Sequence, residues 1–261
     1  MFRCPQYLLD SIRKLMVSDG NLELLSEYII VGLGGGYDVF PKVLDGVEDV
    51  SGFARTIKTY TGYFNGVKVS TIAVAGGQTD AEWVTALAHL KQARALIGVG
   101  WCGGLQEYVG IGDAVISVAA MRDEDASAHY VDPRFPAVAD FELAAKAAAK
   151  LWQRLQKLGA NLWVGVTVST SAMLAETPER VELWARSRAL CIDLETSVIY
   201  ALSYLAGVPA LVLLAVSDNV LLKKDCGFGT ELSKRVDATY RELISSALET
   251  LAELHSTQDK V

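Results

Sequence analysis

Short apolar runs that stop at glycine and give way to helical spacing recur along the chain, and this alternation constrains the fold more than any other feature. YIIVGL (Tyr28–Leu33) ends in Gly34-Gly35-Gly36, VKVSTIAVA (Val67–Ala75) in Gly76-Gly77, and ALIGVG (Ala95–Gly100) again closes on glycine. DAVISVAA (Asp113–Ala120), LWVGVTVS (Leu162–Ser169), ALCID (Ala189–Asp193) and ALVLLAVS (Ala210–Ser217) continue the series. Runs of this length without polar interruption suit strands buried on both faces. Between them, Ala81–Lys91, Asp140–Leu158, Ser197–Ala206 and about Thr230–His255 carry helical spacing. Strand–glycine–helix punctuation predicts an α/β sandwich rather than separate helical and β domains. No linker, repeat or composition shift divides residues 1–261, so one domain is expected, with ligands at the carboxyl ends of its strands.

Composition narrows the classes further. Of the 261 residues, 51% are hydrophobic and 21% charged, which excludes disorder. The net charge of −7 comes without a basic block, which argues against nucleic acid as a partner. Thr196–Ser217 is uncharged and long enough to span a membrane, but Gly207-Val208-Pro209 cuts it into a helix and a strand, so no membrane partner is expected. Cys4, Cys102, Cys191 and Cys226 are scattered without a CxxC, and no secretory signal opens the sequence. Both point to a reduced, cytoplasmic protein with no metal site.

Few residues offer chemistry. VGLGGGYD could turn backbone N–H groups toward an anion, but it fits neither GxxxxGK[ST] nor GxGxxG and reads equally as a tight turn. Asp193 and Glu195 flank Leu194 where a strand meets a helix. Alternation would point both carboxylates one way; helix entry would separate them and leave dipole partners. Asp218 follows an eight-residue apolar run between Ser217 and Asn219. It reads either as a helix cap or as a partly buried acid with a raised pKa. His89, His129 and His255 have no partner at ligand spacing, and no GxSxG supports a nucleophilic serine.

The ordered series VGWCGGL, FPAVADFE, VGVTVSTS, IDLETS and AVSDN resembles the nucleoside phosphorylase family, which holds uridine phosphorylases and hexameric purine nucleoside phosphorylases. The strongest match is RDEDASAHYVDPRFPAVADFEL (Arg122–Leu143), and the similarity runs from about Tyr28 to Leu251. The resemblance implies a three-layer αβα sandwich around a mixed central sheet and a homo-oligomer of dimers, often a hexamer. It also implies cleavage of a nucleoside's N-glycosidic bond, with inorganic phosphate as co-substrate and no other cofactor. By the same resemblance Glu195 binds the ribose hydroxyls, with Leu194 in place of the usual methionine against the sugar. Asp218 matches the aspartate that protonates a purine at N7, while Met173 and Asn219 fall at the base. The Gln-x-Arg that reads uracil is absent around Thr177–Arg180. Purines are therefore favoured.

The phosphate side departs from the pattern. Gly35 aligns with the glycine whose amide touches phosphate, and Arg55 with the arginine lent by a neighbouring subunit. One expected arginine falls near Asp38-Val39, another at Gly98, and a small hydroxyl residue is replaced by Trp101. Two lost charged hydrogen bonds imply about 3–6 kcal/mol unless Lys58 or Arg122 compensates. The histidine lent to the ribose is also missing, with Gln6 or Tyr7 nearby in sequence. Three activities remain open: phosphorolysis with a rebuilt phosphate site in which Trp101 takes part of the anion's volume, hydrolysis on the same fold, and nucleoside binding without turnover.

Overall fold

The computed structural model describes residues 4–227 and 229–258. In chain order the elements are α1 (Gln6–Met16), β1 (Tyr28–Leu33), α2 (Phe40–Val43), β2 (Asp45–Asp49), β3 (Lys58–Phe64), β4 (Val67–Val74), α3 (Gln78–Lys91), β5 (Ala95–Gly104), β6 (Ala114–Asp123), β7 (Ala137–Val138), α4 (Phe141–Leu158), β8 (Leu162–Thr170), α5 (Pro178–Arg186), β9 (Cys191–Asp193), α6 (Thr196–Ala206), β10 (Ala210–Asn219), β11 (Lys224–Asp225) and α7 (Glu231–Gln258). Every apolar run read as a strand from sequence is one.

The strands form one mixed sheet in the order β11-β10-β6-β8-β9-β5-β1-β4-β3-β2, and β10 also pairs with β5. That extra pairing closes β10, β6, β8, β9 and β5 into a five-stranded ring, while β1, β4, β3 and β2 extend from it as an open wing. β1 runs parallel to β4 and β5, and β5 parallel to β10. The antiparallel β9–β5 pairing, Gly103 opposite Ile192 and Gly104 opposite Cys191, is the seam that brings the two halves of the ring together.

Period-2 alternation gives each central strand two buried faces. Val31, Ile72, Leu96, Val212 and Leu214 pack with residues of α3 and α6 such as Leu87 and Ile199. Ile30, Ile97, Val99, Leu211 and Leu213 face α4 and α7. α4 shows how local signals set an element. Asp140 caps its start by accepting from Leu143 N at 2.9 Å, and Leu143, Ala147, Leu151 and Leu155 repeat every four residues on the buried face. Gly159 ends it in the left-handed conformation. Each buried leucine stabilises by about 1.5–3 kcal/mol. The ion pairs of Lys146, Lys150 and Arg154 with Glu242, Glu249 and Glu253 of α7 are partly exposed and add little.

The uncharged stretch resolves as its Gly-Val-Pro break suggests. α6 is buried from Thr196 to Ser203, Gly207 turns the chain, and β10 follows. Among the described residues no helix is long and apolar enough to cross a membrane.

Candidate active site

A cleft of about 320 Å³ opens where β1, β4, β5, β8, β9 and β10 end. Leu33 and Gly34 come from the end of β1, Ala75 and Gly76 follow β4, and Trp101–Gly103 close β5. Met173 and Glu176 follow β8, Ile192–Glu195 join β9 to α6, and Ser217, Asp218 and Val220 end β10. Four of the linings are carboxyls (Glu176, Asp193, Glu195 and Asp218), and no lysine or arginine is among them. None of the three histidines lines it either.

Glu195 sits at the first turn of α6 with only 6% of its surface exposed. Its Oε1 accepts from Gly77 N and its Oε2 from Leu194 N at 3.3 Å, so the carboxyl is held across the gap between the β4 and β9 ends. Burial, then the nearby Asp193 charge, push its pKa up to about 7, against the lowering effect of those two backbone donors. Asp193 is separated from it rather than aligned. Its Oδ1 accepts from Ser169 Oγ at 2.6 Å, and its Oδ2 accepts from Thr196 N at 3.0 Å and from the Thr196 hydroxyl. It is a cap and a brace for α6, its lone pairs taken from below. Ser169 Oγ also accepts from Ser197 N at 2.9 Å, which ties the end of β8 to the same helix.

Asp218 is in a strand and caps no helix. β10 carries an extra residue at Ser217, between the pairs Val216–Cys102 and Asp218–Gly103, and such a bulge re-aims the side chain that follows it. The Asp218 carboxylate lies over Gly103, where a Cβ would stand 3.0 Å from Oδ2, so the glycine leaves the room it needs. Ser217 Oγ donates to Oδ1 at 2.8 Å. Burial raises the Asp218 pKa, the Ser217 hydrogen bond opposes it, and Asp225, opposite on β11, adds to the rise. Asp225 is thus a carboxylate that acts on Asp218.

Leu194 and Met173 line the cleft as expected, Met173 with 61% of its surface exposed. Asn219 does not. It is 2% exposed, its Nδ2 donates to Gln106 O and Val109 O at 2.9 Å, and its Oδ1 accepts from Leu222 N at 2.9 Å. Every amide group is spent on holding the loops beside Gly104, so it has nothing left for a base.

The glycine turn is covered. Trp101 stacks on Tyr240 of α7, ring centroids 4.3 Å apart and planes 12° from parallel. Its indole lies so close to Gly35 that any side chain there would collide with it. The Tyr240 hydroxyl is buried without a hydrogen-bond partner among the described residues, beside the same glycine. Arg55 is exposed and lies outside the cleft of its own chain. Gly98 packs against Leu33, Val212 and Ile199, so a side chain there would press on them. Neither expected substitute lines the cleft. Lys58 pairs with Asp49 at 3.8 Å, and Arg122 is bound to Ser127 Oγ and the carbonyls of Asp132 and Phe135.

No motif in the sequence singles out Glu176, which also lines the cleft. Its only signal was its place six residues after the end of a buried strand.

A mixed α/β sheet with a polar cleft at its strand ends defines a small-molecule site in an α/β protein. The chain belongs to the Phosphorylase superfamily, which it matches over residues 28–253. It is 29% identical over 197 residues to a DeoD-type purine nucleoside phosphorylase of Caldanaerobacter subterraneus, covering 75% of this chain and 81% of that one. A uridine phosphorylase of Thermococcus kodakarensis is 28% identical over 212 residues, 75% of this chain and 74% of its own. A crystal structure of uridine phosphorylase from Vibrio fischeri shares the fold with a TM-score of 0.80 at 22% identity, over 94% of this chain and 99% of the other.

Proposed function

We propose that the protein cleaves the N-glycosidic bond of a nucleoside, purine in preference to uracil, with inorganic phosphate as acceptor and no other cofactor. The observation that carries this reading is one cleft, in a chain of this superfamily, that holds Glu195 and Asp218 on separate strand ends. Relatives named as purine nucleoside and uridine phosphorylases support it. Glu195 accepts from the ribose 2′- and 3′-hydroxyls, and the backbone donors on its oxygens fix its orientation. Leu194 packs on the sugar and Met173 offers an apolar platform for the base. As the ribosyl group gains oxocarbenium character, Asp218 gives its proton to N7 of the leaving purine. Burial keeps that proton available.

The pH dependence follows in sign. Glu195 must be ionised to accept from both hydroxyls, so activity falls as pH drops below about 7. Asp218 must be protonated, so activity also falls as pH rises through its raised pKa. The phosphate takes the Gly35 turn with the Trp101 indole displaced from it, and Arg55 comes from a neighbouring copy in a homo-oligomer of dimers, a hexamer in the fullest form. The exposure of Arg55 outside its own cleft fits that role. Four free cysteines fit the cytoplasm, and the purine reading fits a place in purine salvage.

A second reading, hydrolysis, is favoured by one observation: Trp101 covers Gly35, and the cleft presents no cation of its own to a phosphate. Adenosine, inosine and uridine incubated with and without phosphate separate the two. Ribose 1-phosphate formed only with phosphate supports phosphorolysis; free ribose at equal rates in both mixtures makes the protein a nucleosidase. No base release from any nucleoside contradicts both.

A further inference from the structure

The fourth carboxyl of the cleft has no assigned work. Glu176 follows the turn Met173–Ala175 and shares the cleft lining with Met173 and Asp218. Its carboxyl is half-buried and makes no hydrogen bond or ion pair with any described residue. The nearest cation is committed elsewhere. Arg180 of α5 donates to Asp123 Oδ2 at 2.8 Å and to Ala175 O at 3.4 Å, and its guanidinium lies 5.1 Å over the Trp184 ring. Trp184 Nε1 holds the same Asp123 oxygen at 3.0 Å, so the pair is braced away from the cleft. A free carboxyl is thus presented to a cleft whose other polar groups are already oriented.

We propose that Glu176 reads the base, accepting an N–H from the exocyclic amino group next to N7, so that the site selects 6-aminopurines over 6-oxopurines. The inference rests on the nucleoside reading, which puts N7 at Asp218. On a purine the substituent at C6 is the next polar group along the edge from N7. Glu176 and Asp218 line the same cleft, and the Asp218 charge acts on Glu176, so a base edge that meets one meets the other next. An amino group offers a carboxylate a charge-assisted hydrogen bond. An oxo group offers it only lone pairs, which leaves two acceptors facing each other.

The preference depends on ionisation. Burial and the charge of Asp218 push the Glu176 pKa up to about 7, with Arg180 opposing. The other charged groups around the cleft, Asp193, Glu195 and Asp225 beside Asp218, are all acidic. Below that pKa the carboxyl carries a proton that it can donate to a 6-oxo group, and discrimination fades. Above it, discrimination grows.

The test is calorimetric binding of free adenine and hypoxanthine at about pH 6 and pH 8, to wild type and to Glu176→Gln. Wild type is expected to bind adenine about tenfold or more tighter at pH 8, the worth of one charged hydrogen bond, with a smaller ratio at pH 6. An amide can accept or donate, so in Glu176→Gln the ratio should lie near one and stay flat with pH. An unchanged adenine preference in the variant, or no preference in wild type at pH 8, overturns the inference. Adenosine and inosine turnover is measured beside it. Failure to cleave either nucleoside while the Glu176-dependent preference holds sinks the catalytic reading and leaves this one standing. Cleavage of both with the same kcat/KM ratio in wild type and variant does the reverse.

Discussion

Within the cleft, Glu176, Glu195 and Asp218 bring three carboxyls to the edge of a space they do not fill. Beside it, Trp101 and Tyr240 lay stacked rings against Gly35. Both regions are made of the same material, the loops where buried strands stop. The carboxyl region carries groups with raised pKa values and, at Glu176, an unsatisfied acceptor; the glycine region carries a turn that side chains from β5 and α7 have closed. The glycines permit close approach, and the residue that approaches decides what the turn can bind. Here it is an indole.

The comparison breaks most readily at Asp218. Asp218→Asn keeps the size of the side chain and removes its acidic proton, so turnover on purine nucleosides should fall about 10²–10⁴-fold while nucleoside binding changes little. Steady-state rates beside equilibrium titration check this. Near-normal turnover would make the bulge at Ser217 a purely structural feature. The next effect is at Glu195. Glu195→Ala should weaken nucleoside binding about 10–100-fold, the worth of a charged hydrogen bond, and leave free-base affinity within about twofold. Equal losses for both ligands would mean that Glu195 supports the fold through Gly77 and does not read the sugar.

At the glycine turn the expected change has the opposite sign. Trp101→Ser uncovers Gly35 and should tighten phosphate binding about tenfold, one added hydrogen bond's worth. The lost stacking should lower stability by roughly 3 kcal/mol. Phosphate titration and thermal melting measure the two, and unchanged phosphate affinity would show that the indole does not occupy anion space.

The smallest effect concerns stability and pH. Glu195 has a folded pKa of about 7, above its unfolded value, so the folded state binds more protons and stability falls as pH rises from about 4.5 to 7. Glu195→Gln removes that loss and should be more stable than wild type at pH 8 by on the order of 1–3 kcal/mol, with little difference near pH 4. Denaturant unfolding at both pH values reads it. A variant less stable at pH 8 would mean that the Gly77 and Leu194 hydrogen bonds outweigh burial.

Strands buried on both faces were legible because burial removes polar residues from them, and the helices because their buried faces repeat every three or four residues. Edge elements were not. β2 reads DGVED and is exposed along its whole length, so nothing in its composition marks a strand. The ring closure is a pairing between β5 and β10, over a hundred residues apart, and no local pattern encodes it. Glu195, Asp218, Leu194 and Met173 could be placed in the cleft by motif because each lies within three residues of a strand end. Asn219 misled because adjacency in sequence crosses from the cleft to the loop behind it. Glu176 stayed silent because no motif marks it and Asp218, which shares its cleft, meets it only in three dimensions.

Cleavage depends on which part of a nucleoside each carboxyl of the cleft meets. A crystal structure of the Asp218→Asn protein with adenosine bound tests that directly. It should place the 2′- and 3′-hydroxyls within about 3.2 Å of the Glu195 carboxyl. The purine should lie on Met173 with N7 toward position 218 and its amino group toward Glu176. A nucleoside bound the other way round, base at Glu195 and sugar at position 218, would contradict it.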